Sequence, residues 1–288
     1  FQQAADVDPN YALAYSGLAD CYVVLGDYTG IPENETTPKA QAFAQRALQL
    51  DGSLAEARTS LAYTYALSWQ WDLAEKEFRR AIELDPNYPT AHHWYNLTLM
   101  ETGRFEEALR EIKRAQELDP LSQIINYNVA LGYLLAGDMN ASIEQSKRSI
   151  DLNPIFPRAH QALGHAYLKQ ERFAEAIAEF QKAVGLSPND RQARRDLGYA
   201  YGVAGKRTEA LAVLKELQEN YEKREAFAGD IAAVYAGLGD KDKAFLWLEK
   251  DFHARIGRLG RITYQPPFET LRSDPRYANL LRRMGLQP

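Results

Sequence analysis

One interval governs this chain. Ala74–Pro86 reads AEKEFRRAIELDP, and the pattern returns at Ala108–Pro120 (ALREIKRAQELDP), Ser142–Pro154 (SIEQSKRSIDLNP) and Ala176–Pro188 (AIAEFQKAVGLSP), 34 residues apart each time. A fixed period of about 20 to 50 residues marks a stacked-repeat architecture, in which each unit buries its apolar face only against its neighbours. The 288 residues therefore need no division into globular domains, because such a stack grows by adding units. With Ala55 as position 1, further units begin at Pro89, Gln123, Pro157, Arg191 and Glu225, and a longer first unit begins at Ala12.

Each unit reads as two helices. The first spans roughly positions 1 to 14. Gly26, Gly103, Gly137, Gly205 and Gly239 mark the turn that follows, since glycine adopts the left-handed geometry that ends a helix. The second helix stops at Pro86, Pro120, Pro154 and Pro188, where proline lacks the N–H a continuing helix needs. Pro89 and Pro157 then open the next helix at a position that tolerates proline.

Small residues recur where helices must approach. Position 8 holds Ala19, Ala62, Asn96, Ala130, Gly164, Gly198 and Ala232, and position 20 holds Ala40, Ala74, Ala108, Ser142, Ala176, Ala210 and Ala244. Leu18, Leu61, Leu163, Leu197 and Ile231 at position 7, with Tyr22, Tyr65, Tyr133, Tyr167, Tyr201 and Tyr235 at position 11, fill the spaces between. This pattern, with Phe78 and Phe180 at position 24 and proline at 32, resembles the tetratricopeptide repeat (TPR) over nearly the whole chain. The resemblance implies an all-α right-handed superhelix of about seven helix pairs. Residues 1–11 read as the end of a truncated preceding repeat, 12–258 as the array and 259–288 as a C-terminal cap. Trp69 and Trp71 depart from the pattern by replacing the usual turn residues, and Asp251 breaks the small-residue series at position 27. SWQWDLAEKEF, PTAHHWYNLTL, GLGDKDKAFLWLEK and FETLRSDPRYANLLRRMG further resemble the C-terminal TPR arrays of bacterial signalling regulators.

Positions 2, 5, 9 and 12 share one face of each first helix, opposite the core face. In the family this face lines a concave groove that holds peptides. The candidate groove residues are Tyr63, His93, Leu97, Tyr127, Leu131, Arg158, Gln161, His165, Arg195 and Tyr199. Leu97, Tyr127 and Leu131 give it an apolar middle, Asp20 and Glu56 an acidic N-terminal part, and Arg158 and Arg195 a basic C-terminal part. A partner segment is expected there, its acidic end towards Arg195. The family's carboxylate clamp for chaperone tails has no matching set of Lys, Asn and Arg over three consecutive repeats.

Phe268, Leu271, Tyr277, Leu280 and Leu281 are expected to cap the last repeat, and the seven arginines after Asp251 to form a basic, solvated surface or to dock an acidic partner. Thr29–Thr37 (TGIPENETT) reads as an inserted loop, either plain or folded over the groove mouth. His92 and His160 replace an aromatic at position 4 and read as inter-repeat packing, whereas His93 and His165 face the groove.

Other classes of function find little support. The net charge of −5 argues against nucleic acid. The lone Cys21 allows no intrachain disulfide, and no His-Glu-x-x-His or comparable ligand spacing calls for a metal or cofactor. No apolar run spans a membrane, and no signal peptide is visible, so a cytoplasmic location is expected with the periplasm left open. The expectation is a non-catalytic module that binds a protein or peptide, as the scaffold or sensor part of a larger bacterial regulator whose missing N-terminal domain could itself be the partner. The alternatives are a ligand-gated switch of superhelix pitch, or an α/α-toroid enzyme, which would need an inward pair of carboxylates that this repeat does not show.

Overall fold

The computed structural model describes residues 1–28, 31 and 33–287, and all regular structure among them is helical. A short helix, α1 (Gln2–Val7), precedes seven pairs: α2 (Ala12–Tyr28) with α3 (Glu33–Leu50), α4 (Ala55–Leu67) with α5 (Trp71–Leu84), α6 (Pro89–Glu101) with α7 (Phe105–Leu118), α8 (Gln123–Leu135) with α9 (Met139–Leu152), α10 (Pro157–Lys169) with α11 (Phe173–Leu186), α12 (Arg191–Val203) with α13 (Arg207–Glu222), and α14 (Ala228–Gly237) with α15 (Lys241–His253). Two 3-10 segments, Gly257–Thr263 and Pro266–Leu271, lead to α16 (Pro275–Arg283). Packing follows the small-residue series. Ala40, Ala74, Ala108, Ala176, Ala210 and Ala244 are buried where helices touch, and Phe78 and Phe180 fill the interior between layers. Asn96 fits among the small residues by donating Nδ2–H to the Ala108 carbonyl at 2.8 Å.

Position 15 carries the turn. Gly103, Gly137, Gly205 and Gly239 have φ between 73° and 86°, while Trp69 and Glu171 adopt the same left-handed geometry at φ 58° without glycine's freedom. Three boundaries differ from the sequence expectation. α2 runs through Gly26, so the first turn does not fall there. Of the expected loop, Thr29, Gly30 and Pro32 lie outside the described residues, but Glu33–Thr37 forms the first turns of α3. Two glutamates in that first turn suit the positive end of the helix dipole. The 34-residue spacing starts the last unit at Glu225, yet its helix begins at Ala228. No Asp-Pro stop follows α13, which runs on to Glu222, and Asp230 then reaches back to accept the Phe227 N–H. Asp251 departs from the small-residue series for a local reason: buried, it accepts the N–H groups of Ala228 and Gly229 at 3.1 and 2.6 Å at the start of α14.

The tail has two jobs. Phe268, Leu271, Tyr277, Leu280 and Leu281 cover Ala232, Ala236, Phe245 and Leu248, which closes the last apolar face. The stretch before them crosses to the opposite end of the array. Trp69 donates its indole N–H to the Gly257 carbonyl at 2.9 Å, and Trp71 donates to the Met284 carbonyl at 2.8 Å. Arg258 pairs with Glu33 and donates to the Val23 carbonyl at 3.1 Å. Gly257 lies so close to α4 that a Cβ there would sit 2.3 Å from the Leu67 carbonyl oxygen. First and last repeats are thereby joined, and the superhelix closes into a ring. The arginines expected as a solvated basic face turn largely inward or pair locally: Arg276 with Asp242 and Asp274, Arg283 with Glu249, and Arg261 towards Glu101 at 3.8 Å.

Candidate functional site

The groove faces of α4, α6, α8, α10 and α12 and the crossing tail enclose a cleft of about 990 Å³. Eight of the ten candidate residues line it: Tyr63, His93, Leu97, Tyr127, Leu131, Arg158, His165 and Arg195. Gln161 and Tyr199 do not. Gln161 is buried and hydrogen-bonds Asp190 at 3.3 Å, while Tyr199 packs beneath Gly237 of α14. Burial, with the Glu269 charge nearby, pushes the Tyr199 hydroxyl up to about 12.

The two ends of the cleft differ. At its deep end the tail has already taken the apolar strip. Leu131 is only 5% exposed and shares one apolar cluster with Tyr63, Trp94, Met100 and Tyr264. Tyr63 and Trp94 rings lie 5.2 Å apart, and Arg261 donates to the Tyr63 hydroxyl at 3.3 Å. Thr263 donates to the Met100 carbonyl at 3.1 Å.

The basic wall is internally matched. Arg195 pairs with Asp196 at 2.8 Å and faces Asp230 at 3.8 Å, and Arg191 pairs with Asp230 at 3.0 Å. Gln265 of the tail accepts from Arg195 at 3.2 Å. Burial alone would raise the Asp196 carboxyl, but Arg195 and His165 beside it prevail and hold it at about 2. The expected acidic end towards Arg195 is therefore not what this geometry offers. A buried guanidinium with two carboxylates and a tail amide has little charge left for a ligand.

The open part lies over α6, α8 and α10. Leu97 and Tyr127 are half-buried, and Ile124 is 37% exposed at the rim. The Arg158 guanidinium stands 5.9 Å from the Tyr127 ring centre and donates to Gln192 in the next repeat. His93 and Asn128 meet at 2.9 Å between Nε2 and Nδ2, and Asn128 also donates to the Ile124 carbonyl at 3.0 Å. His165 uses Nε2 on Asp196 at 3.0 Å, and its Nδ1 is buried with no hydrogen-bond partner among the described residues. His92 and His160 instead bridge repeats, each between a carboxylate (Glu111 at 2.6 Å, Glu179 at 2.7 Å) and a proline carbonyl.

Sequence reasoning missed Trp94 and the whole tail wall of Tyr264, Gln265 and Pro266. Trp94 sits at position 6, off the groove face of an ideal helix, and its bulk brings it in. The tail wall had one sequence signal, the paired tryptophans at a turn where the pattern wants glycine. Among the described residues no group of three or more His, Cys, Asp or Glu could hold a metal ion, and no helix is long and apolar enough to cross a membrane.

Comparison with known proteins agrees with this architecture. A family model described as tetratricopeptide repeat matches residues 97–154 and 162–225. No curated protein matches the chain significantly. Similar solved structures include human IFIT1 in a dimer with m7Gppp-AAAA (18% identity, 86% of this chain and 60% of that one, TM-score 0.61). The APC/C hetero-tetramer Cut9–Hcn1 superposes at 17% identity over 75% of this chain and 41% of the other, with TM-score 0.60. PilW, a type IV pilus biogenesis factor, does so at 20% identity over 77% and 97%, with TM-score 0.58. At such identities the likeness is one of fold, and it extends the helix-pair unit beyond the residues that the family model covers. Over the matched residues the chain carries tetratricopeptide repeats, and the all-α helix-pair fold continues beyond them.

Proposed function

We propose that this chain is a non-catalytic interaction module that holds a segment of a partner protein in the open part of the cleft, against Leu97, Tyr127 and Arg158. The observation that carries this reading is the cleft itself: about 990 Å³ framed by consecutive repeats, with apolar and aromatic side chains at its centre and polar groups at its edge. Exposed apolar surface ringed by polar groups is the usual form of a binding site. TPR folds serve as protein-interaction modules, and Cut9 is solved in a complex with Hcn1. A role as the scaffold or sensor part of a larger cytoplasmic bacterial regulator, with that regulator's own N-terminal domain among the partners, extends the same reading and rests on the sequence resemblance.

Ring closure favours a fixed receptor over a switch of superhelix pitch. A change in pitch must separate Trp69 from Gly257, a part-buried contact, and Arg258 from Glu33, a buried one. The test is selection of random peptides on the purified chain, followed by binding to Tyr127→Ala and Leu97→Ser. Selected peptides should lose most of their affinity for both variants while circular dichroism stays unchanged. Undiminished binding to both would move the site off this cleft.

A further inference from the structure

We propose that one end of the partner segment carries a lysine or arginine, whose ammonium or guanidinium group is held between Asp20 of α2 and Glu56 of α4. This deepens the cleft reading above and rests on it for the source of the cation.

The two carboxylates stand on neighbouring repeats. Ser60 donates to Asp20, which fixes the register of α2 against α4. Both are first helices of their pairs and run the same way. One turn earlier, Ser16 on α2 therefore stands opposite Glu56 on α4. Ser16 is 2% exposed, and its Oγ has no hydrogen-bond partner among the described residues. A buried hydroxyl left so is costly, and a ligand N–H that reaches it removes the cost. Tyr88 stands at a third side: burial pushes its hydroxyl up, and the charges of Asp20 and Glu56 add to the rise.

Charge decides the class of ligand. Asp20 and Glu56 are half-buried, and no Lys, Arg or His among the described residues pairs with either. Burial raises the Asp20 carboxyl to about 6, with the Ser60 hydroxyl opposing and the Glu56 charge adding. A cation that carries N–H groups answers both the charges and the hydroxyl. The basic wall has no such demand for an anion, since Arg191 and Arg195 are matched by Asp196 and Asp230. Calcium wants about six oxygen ligands or more, and no group of three or more His, Cys, Asp or Glu stands here among the described residues. The acids adjoin the open cleft. Val24, one turn beyond Asp20 on α2, and Thr90, hydrogen-bonded to Tyr88, both line it.

Side-chain carboxyl 13C NMR of the whole chain at pH 7, with butylammonium chloride added, tests the site. The Asp20 and Glu56 signals should shift together and saturably, and the Asp20 titration midpoint should fall. Tetramethylammonium chloride, which has no N–H, should leave them unmoved. No saturable shift, or an equal one with tetramethylammonium, would overturn the site. The peptides selected above test the source. They should carry Lys or Arg at one end, and Gln in its place should weaken binding about tenfold to the parent but less than about twofold to Asp20→Asn/Glu56→Gln, at unchanged circular dichroism. Selected peptides without a basic residue would overturn the side-chain source and leave the cleft reading standing. No selected peptide, beside a saturable butylammonium shift, would overturn the cleft reading and leave the acids as a site for a free amine.

Discussion

Removing the Arg258 side chain tests what holds the ring shut. Its partner Glu33 is 1% exposed and lies at the start of α3, 225 residues earlier in the chain. Arg258→Ala leaves that carboxylate buried without its cation and also removes the hydrogen bond to the Val23 carbonyl. Deleting one partner of a buried ion pair costs about 3–5 kcal/mol, most of it the desolvation of the charge left behind. With an unfolding entropy of about 2.1 cal/mol/K per residue, a chain of 288 residues loses about 0.6 kcal/mol per degree near its midpoint, so the melting temperature should fall by about 5–8 °C. The double variant Arg258→Met/Glu33→Leu should recover most of the loss, because apolar replacements of similar volume carry no desolvation penalty. Equilibrium urea unfolding followed by far-ultraviolet circular dichroism measures both. If Arg258→Ala lies within about 1 kcal/mol of the parent, the pair is not what closes the ring.

Three further outcomes follow from the same structure. Glu171→Gly should stabilise the chain by about 1 kcal/mol by relieving a left-handed non-glycine residue, whereas Trp69→Gly should destabilise it despite the same relief, because the indole bond to Gly257 and the stacking on Phe252 are lost; paired thermal melts decide this. Leu131→Ala should lower stability by about 2–4 kcal/mol, since its side chain is packed under the tail, while Leu97→Ala should cost much less and act on binding; chemical denaturation separates the two. The third concerns pH. Burial raises Asp251 to about 7 and Asp20 to about 6, so between about pH 4 and 7 the folded state binds more protons than the unfolded one; the stability these two groups contribute is full at low pH and lost as pH rises through 6 to 7, and melts from about pH 5 to 8 should show a falling midpoint, with the Asp20 part of the slope absent in Asp20→Asn.

Much of the fold is written locally. The 34-residue step, the position-15 glycines and the Asp-Pro stops each act within a few residues of where they stand, so helix pairs and their stacking can be read directly. The misplaced boundaries are the end of α2, which runs on through Gly26, the start of α3, which lies inside the inserted stretch, and the start of α14, which follows a helix without an Asp-Pro stop; at each the 34-residue pattern is broken and local rules lose their anchor. The groove face is legible from helical periodicity, which brings eight candidate residues to one cleft. Which of them are covered is not legible, because that depends on contacts between residues about 200 apart or more. Arg258 and Arg261 look like surface arginines in sequence. They become interior only because Glu33 and Glu101, each unremarkable on its own helix, are buried opposite them.

Closure also changes how such an array comes apart. An open stack behaves as a one-dimensional chain, able to fray from either end one unit at a time. Here the Arg258–Glu33 pair and the bonds Trp69 to Gly257 and Trp71 to Met284 tie the first two helix pairs to the tail across 225, 188 and 213 residues, so neither end unit can leave without breaking its neighbour stacking and the crossing tail together. The entropy of closing so long a loop grows only logarithmically with its length, so it weighs little against the apolar surface and hydrogen bonds that the tail buries. The unit of opening becomes the whole ring rather than a terminal repeat. Amide protons in the first and last pairs then exchange by the same global event as those in the middle, and the array resists proteases as a single cooperative body.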